Sequence, residues 1–107
     1  MLSPENNRLF VDALSNTIYN SRIPQGLGFL APVAHKTGSK NAVYNDAALV
    51  FLPDNPYVLV ILTRGVPGSA EQLMRQISHD LYLYEQNRLQ SGLSEWARQL
   101  HRSLPAD

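Results

Sequence analysis

The sequence predicts an α+β domain in which helices flank a three-stranded antiparallel sheet. Two apolar runs, 46–52 and 57–63, are separated only by the turn-forming segment 53–56. Strands joined by so short a link must run antiparallel. Apolar residues recur at helical spacing before the strands, within 3–19, and after them, within 69–89. These patterns predict a helix, a sheet and a second helix in chain order.

The composition fits a single domain or part of one, because the chain has 107 residues. Nine basic and nine acidic residues cancel and are scattered, which argues against nucleic acid as a partner. The chain has no cysteine, so disulfides and thiolate chemistry are excluded. Its first residues lack a basic start, and no apolar run could span a bilayer. We therefore expect a soluble chain without a targeting segment or membrane span.

The first predicted helix lies within 3–19. Ser3 can cap it, Pro4 needs no backbone donor at that position, and Glu5 complements the positive helix end. The helix should end near Asn16. Its apolar stripe, expected to be buried, consists of Phe10, Ala13, Leu14, Thr17 and Ile18. The segment 20–28 is rich in turn formers and is predicted to be a loop.

The predicted sheet occupies 29–63. Its first strand is Phe29 to Ser39, and its second, 46–52, shows no polar alternation, which indicates burial on both faces. The third strand, 57–63, is rich in β-branched and aromatic residues. A sheet with such strands needs covering layers on both sides.

The closing helix is predicted over 69–89, because Ser69 and Gln72 form a capping box. Its buried stripe is expected to contain Leu73, Met74, Ile77, Leu81 and Tyr84, with Tyr82 also packing. Ser91 and Gly92 should break the helix, leaving a tail at 90–107. In that tail Ser94 could cap a last short helix containing Trp96, Leu100 and Leu104, and fraying is the alternative.

The run His35-Lys36-Thr37-Gly38-Ser39 ends the first predicted strand. A strand ending in Lys-Thr-Gly-Ser, two more apolar strands and a capped helix together resemble the C-terminal part of the class A β-lactamase and penicillin-binding serine hydrolases. The runs 34–39, 43–47 and 57–63 resemble in particular the β-lactamase-like branch of that family. The match covers most of 3–89. It implies that the chain is a single partial domain, the C-terminal portion of an α/β/α sandwich.

The resemblance assigns roles to four residues. Lys36 would be catalytic, because it assists a serine hydroxyl electrostatically. Thr37 and Ser39 would bind a substrate carboxylate, and the Ser39 backbone N–H would form half of an oxyanion hole. Gly38 would keep the strand edge open to substrate. Neither a metal nor a cofactor is implied.

Each assignment has a structural alternative. A lysine at a strand edge, such as Lys36, often serves only to keep the edge unpaired. The segment 39–41 matches Ser-x-Asn but overlaps Lys-Thr-Gly, so it cannot form the opposite wall of the same cleft. His35 should point away from Lys36, and a packed or solvated histidine is expected there rather than a base. His79 and His101 lack partners at metal-ligand spacing.

Two departures from the family pattern limit what the resemblance implies. No Ser-x-x-Lys occurs in the sequence, so it contains no candidate nucleophile. In addition, many class A β-lactamases have an arginine at the start of the strand after Lys-Thr-Gly, where this sequence has Asn45-Asp46. An acidic side chain in that place should repel a substrate carboxylate, so antibiotic hydrolysis is less well supported than serine-hydrolase chemistry in general.

The resulting hypothesis is a C-terminal segment of a bacterial, extracytoplasmic serine hydrolase that acts by acyl transfer on a β-lactam or peptidoglycan-like amide. Alone, the segment should be inert. A second hypothesis is a non-catalytic module that self-associates or complements another chain, and a third is a free-standing enzyme that uses Lys36. The strand at 57–63 should have a bare edge, which predicts pairing with a missing N-terminal portion or with a second copy.

Overall fold

The computed structural model describes residues 1–103, with the side chains at 89, 93, 94, 96–98 and 101–103 left undescribed. The elements in chain order are α1 (Pro4–Ser15), α2 (Ile23–Gly26), β1 (Val33–Lys40), β2 (Val43–Val50), β3 (Tyr57–Arg64) and α3 (Pro67–Ser103). The predicted α+β class is confirmed. No described helix is both long and apolar enough to cross a membrane.

The three strands form one antiparallel sheet in the order β1-β2-β3. His35 pairs with Ala48, which pairs with Leu59, so these three side chains lie on one face of the sheet. We call this the core face. Lys36 and its partner Ala47 lie on the opposite, outer face.

The hydrophobic core lies on the core face, where α2 and α3 cover the sheet. Its buried members are Ile23, Leu27, Ala31, Ala48, Val50, Leu52, Ile61, Met74 and Tyr82. The outer face is largely uncovered, because Ala47 and the β3 residues Val58, Val60 and Leu62 are exposed. The prediction that the second strand is buried on both faces is therefore wrong for the described chain.

Strand boundaries differ from prediction where the backbone turns. The first strand begins at Val33 rather than Phe29, because Gly28 and Phe29 have φ values of 60° and 59°. This left-handed conformation is incompatible with a strand. The second strand begins at Val43, directly after a two-residue hairpin turn at Asn41 and Ala42, which have φ values of 51° and 63°. Positive φ at both central residues is typical of a type I′ turn.

The segment predicted to be a loop contains a short helix, α2. Pro24 lies in its first turn, where the missing N–H breaks no helical hydrogen bond. Residues Ile23, Pro24 and Leu27 are buried. The loop prediction was wrong at 23–26 because it treated Pro24 and Gly26 as breakers, whereas proline is compatible with a helix start.

The N-terminal helix begins as predicted, since the Ser3 hydroxyl accepts a hydrogen bond from the Asn6 backbone N–H at 3.2 Å. It ends at Ser15 and contacts β1, but it has no buried residue. Phe10, expected in the buried stripe, is 56% exposed. The apolar stripe of α1 is therefore largely uncovered in this chain.

The C-terminal helix is longer than predicted. It begins at Pro67 and continues through Gly92 to Ser103, so the predicted end near 89 and tail from 90 are wrong within the described residues. A single helical glycine costs only about 1 kcal/mol, which a long helix tolerates. Among the described side chains of α3, Ala70, Met74, Ser78 and Tyr82 are buried, whereas Leu73, Ile77 and Tyr84 are exposed. Leu104 lies outside the described residues.

The far end of the sheet is also attached to α3. The Asn55 amide, in the turn between β2 and β3, donates to Glu85 Oε2 at 2.8 Å. Arg88 donates to the same oxygen at 2.8 Å. The hydrogen bonds from Arg88 and then from Asn55 hold the pKa of Glu85 below its usual value. Burial raises the pKa of the nearby Tyr57 hydroxyl to about 12, with smaller contributions from Tyr82 and Glu85.

Gly26 sets how closely α2 approaches α3. A Cβ at this position would lie 2.2 Å from Ser78 Oγ and 2.4 Å from the Arg75 carbonyl oxygen.

We expect Gly26→Ala to lower the free energy of unfolding by about 1–3 kcal/mol, the usual cost of overpacking. Urea denaturation followed by circular dichroism measures this. Gly68→Ala is the matched control, because a Cβ there meets nothing within 4 Å; an equal loss in both variants would contradict the packing argument.

Candidate active site

One cavity brings the four predicted site residues together. It has a volume of about 450 Å³ and lies between the segment before α2, the second half of β1 and the first turns of α3. Its lining residues are Tyr19, Ser21, Arg22, Lys36, Thr37, Gly38, Ser39 and Glu71. The Lys-Thr-Gly-Ser segment therefore forms one wall, and residues far from it in sequence form the others.

The residues of the Lys-Thr-Gly segment alternate between the two faces of β1. Thr37 and Ser39 lie on the core face, opposite Asp46 and Tyr44 of β2. Lys36 lies on the outer face and is exposed, and its Nζ donates to the Thr37 carbonyl oxygen at 2.6 Å. A charged amine held only by a neighbouring carbonyl remains available to a group that enters the cavity.

Gly38 has open space where a side chain would project. A Cβ built there meets no atom within 4 Å. Packing within the described chain therefore does not require glycine at this position. The absence of a side chain leaves this part of the wall accessible.

Arg22 is the main site residue that the sequence analysis missed. It is 7% exposed, and its Nη1 donates to the Asn45 carbonyl at 2.6 Å and to the Gly38 carbonyl at 3.4 Å. Its Nη2 donates to the Ser39 hydroxyl. The guanidinium also lies 5.8 Å from the ring centroid of Tyr44, a cation–π distance. Arg22 thus joins the two strands at the end of the cavity.

The contact between Arg22 and Ser39 has a chemical consequence. Because the Ser39 oxygen accepts a hydrogen bond from Arg22, its own O–H is left to donate elsewhere. Hydrogen bonds with a charged donor are stronger than neutral ones and polarise the acceptor group. The arrangement supplies a hydroxyl donor and a nearby positive charge, which suits a carboxylate ligand.

Glu71 and Arg75 connect this wall to α3. Glu71 Oε1 lies 3.5 Å from Arg22 Nε, and Glu71 Oε2 lies 3.8 Å from Arg75 Nη1. Arg75 Nη1 also donates to the Ser21 carbonyl oxygen at 2.9 Å. The ion pair and the hydrogen bond fix the segment before α2 against the helix, and with it the position of Arg22.

A buried polar network lies behind the cavity wall. His35 Nδ1 is 2.9 Å from Asp46 Oδ1, and His35 Nε2 is 3.1 Å from Asn20 Oδ1. Asp46 Oδ2 accepts from the Ile23 backbone N–H at 3.2 Å. His35 is packed, which agrees with one of the two alternatives expected for it. The network ties β1, β2 and the start of α2 together.

The location of Asp46 corrects the expectation that it would repel a substrate carboxylate. Asp46 is 0% exposed and does not line the cavity, and its carboxylate is paired with His35. Arg22, from another segment, places a positive charge at the cavity, where its ion-pair partner Glu71 also contributes a negative charge. Among the described residues, no group of three or more acidic, histidine or cysteine side chains could hold a metal ion.

The fold and the cavity together define a segment of the β-lactamase and penicillin-binding type. The chain belongs to the β-lactamase enzyme family, whose sequence model matches residues 1–85. This confirms the family predicted from the Lys-Thr-Gly segment and its surrounding strands. No curated protein sequence matches the chain.

Solved structures of PBP-A are similar to the chain. One of them is 30% identical to this chain, with a TM-score of 0.71, and the match covers 80% of this chain and 34% of the PBP-A chain. A second, a PBP-A variant in an acyl-enzyme complex with penicillin G, is also 30% identical, with a TM-score of 0.69 and the same two coverages. The chain therefore spans 34% of the length of these structures.

Proposed function

We propose that this chain forms the Lys-Thr-Gly wall of the active site in a β-lactamase-like serine hydrolase. The observation that carries the proposal is the cavity that Lys36, Thr37 and Ser39 share with Arg22. Such enzymes break an amide or β-lactam bond by acyl transfer through a serine ester. The substrate class is a β-lactam or a peptidoglycan-like amide, and by family the setting is extracytoplasmic.

The proposed roles follow from the contacts in the cavity. The Thr37 and Ser39 hydroxyls donate to a substrate carboxylate, and the Arg22 charge behind Ser39 strengthens that interaction. Lys36, exposed at the same wall, stabilises negative charge that develops on a serine hydroxyl. By family resemblance, the Ser39 backbone N–H is one donor of the oxyanion hole.

The nucleophile must come from outside the given sequence, which contains no Ser-x-x-Lys. A wall that binds and polarises a substrate does not by itself open a β-lactam through an ester. The proposal therefore assigns binding and electrostatic roles to this chain, and nucleophile and base to another portion of the fold.

Covalent labelling with a fluorescent penicillin tests the proposal. We expect no adduct on the isolated chain, as judged by gel fluorescence and intact mass. When the upstream portion of the fold is added, we expect an adduct on that portion, and Thr37→Ala combined with Ser39→Ala should slow labelling. Asn55→Ala, at the far end of the sheet, is the matched control. An adduct on the isolated chain would show that a nucleophile is present here after all.

The uncovered parts of the sheet support a second candidate, a non-catalytic module that self-associates or complements another chain. β3 is an edge strand, and Val58, Val60 and Leu62 are exposed along it. Unpaired edges with apolar side chains promote pairing with another chain. Sedimentation of the isolated chain at high concentration tests the self-association that this candidate requires: a stable dimer supports self-association, and a well-folded monomer excludes it.

A further inference from the structure

The His35 ring has a hydrogen-bond acceptor at each of its two nitrogens. Asp46 Oδ1 faces Nδ1 at 2.9 Å, and Asn20 Oδ1 faces Nε2 at 3.1 Å. The orientation of the Asn20 amide is set by a third group, because its Nδ2 donates to the Thr17 carbonyl at 2.8 Å. Reversing the amide would place its oxygen against that carbonyl oxygen, and two acceptors repel each other.

This arrangement determines how many protons the ring carries. A neutral imidazole has one N–H donor and one acceptor nitrogen, whereas an imidazolium donates from both. Both nitrogens of His35 face oxygen atoms, and when Asp46 is ionised both of these oxygens are acceptors, so the two contacts are satisfied together when both nitrogens carry protons. The resulting positive charge is buried against the Asp46 carboxylate, which is the usual way that a protein accommodates a buried charge.

The pair also holds the two residues that flank Ser21 and Arg22. His35 binds Asn20 on one side, and Asp46 accepts from the Ile23 backbone N–H on the other. These two contacts hold the chain on both sides of the Ser21-Arg22 pair. They act in addition to the contacts that Arg75 makes with Ser21 and Glu71 makes with Arg22.

We propose that His35 is held as an imidazolium and that His35 and Asp46 are positioning residues that set Arg22 against Ser39. The positioning role of His35 and Asp46 rests on the proposed function, because the contact between Arg22 and Ser39 prepares a carboxylate site. Neither residue touches the cavity, so both act through Arg22.

A ring with only one proton does not fit this geometry. Its bare nitrogen would place a lone pair against an acceptor oxygen, so that, for example, His35 Nε2 and Asn20 Oδ1 would repel each other.

Nitrogen-15 NMR of the 107-residue chain tests the protonation directly. At neutral pH we expect long-range proton–nitrogen spectra to show a proton on both ring nitrogens of His35. His79, which is exposed on α3, is the internal reference for a solvated ring. Asn20→Asp keeps an acceptor at Nε2 and should preserve the pattern. A His35 ring with one unprotonated nitrogen would overturn the assignment.

The Arg22 Nε–H signal tests the positioning role. Asn20→Ala should shift or broaden this signal, whereas Asn55→Ala, which removes an amide at the other end of the sheet, should leave it unchanged. An unshifted Arg22 signal in Asn20→Ala would overturn the role. Titration with acetate tests the carboxylate site separately. If acetate does not shift the NMR signals of Arg22 and Ser39, the proposed carboxylate site is contradicted, but the positioning of Arg22 by His35 and Asp46 is not.

Discussion

Replacing Arg22 with methionine should lower the free energy of unfolding by about 3–5 kcal/mol, the typical cost of removing one partner from a buried charge network. The guanidinium binds the Gly38 and Asn45 carbonyls and the Ser39 hydroxyl, and it lies beside Glu71. Methionine fills much of the same volume but donates to none of these groups. The loss therefore comes from acceptors left unpaired next to the core rather than from a cavity.

Urea denaturation of the isolated chain, followed by circular dichroism, measures the effect. The matched control is Arg88→Met, because the Arg88 side chain is 55% exposed and pairs with Glu85 on the surface of α3. Exposed pairs of this kind contribute about 0–1 kcal/mol. Similar unfolding midpoints for the two variants would mean that Arg22 does not hold the cavity wall.

Arg22→Lys refines the interpretation. Lysine keeps the positive charge but lacks the planar fork that reaches two carbonyls and a hydroxyl together. We expect it to recover only part of the stability that Arg22→Met loses. Full recovery by lysine would indicate that charge alone matters, and that the contacts to Gly38, Asn45 and Ser39 contribute little.

The sequence predicted best the elements whose signals are local. The third strand, predicted at 57–63, is observed at Tyr57–Arg64, because a β-branched and aromatic run lies between turn residues and Gly65. The start of α1 follows from a capping residue and a proline that act within one turn. In both places the residues that determine the element are adjacent in sequence.

Errors arose where backbone conformation or tertiary packing overrides a local pattern. Residues 29–32 look apolar enough for a strand, but the left-handed conformation at Gly28 and Phe29 delays β1 until Val33. On α3 only part of the predicted stripe is buried. Met74 is covered as predicted, but the sheet and α2 cover Ala70 and Ser78 instead of Leu73 and Ile77. The helical period was evident, but its buried face depended on partners that the pattern does not specify.

The candidate site likewise combines residues that a local motif identifies with residues that only tertiary packing brings together. Lys36, Thr37, Gly38 and Ser39 are contiguous, so a motif could identify them. Arg22 is 17 positions from Ser39, and only the folded chain brings its guanidinium to that hydroxyl. The available signal was weak: a single basic residue within the turn-rich segment 20–28. Glu71 was not singled out in the sequence, because its place beside Arg22 depends on how α3 docks.

Asp46→Val should destabilise the chain by about 3–5 kcal/mol, because it removes one member of a buried ion pair. The change leaves the His35 charge without its carboxylate and the Ile23 backbone N–H without its acceptor. Valine suits a strand and adds little volume, so neither propensity nor a cavity explains a large loss. Ala47→Val, at the adjacent exposed position of β2, is the matched control and should change stability by less than about 0.5 kcal/mol.

A double-mutant cycle with His35→Leu distinguishes a specific pair from general burial. If the two side chains act as a pair, removing both should cost clearly less than the sum of the single losses, because no isolated charge then remains in the core. The non-additive part should lie within about 0.5–3 kcal/mol. Additive losses would show that His35 and Asp46 stabilise the chain independently, and the inference that they jointly position Arg22 would lose its energetic basis.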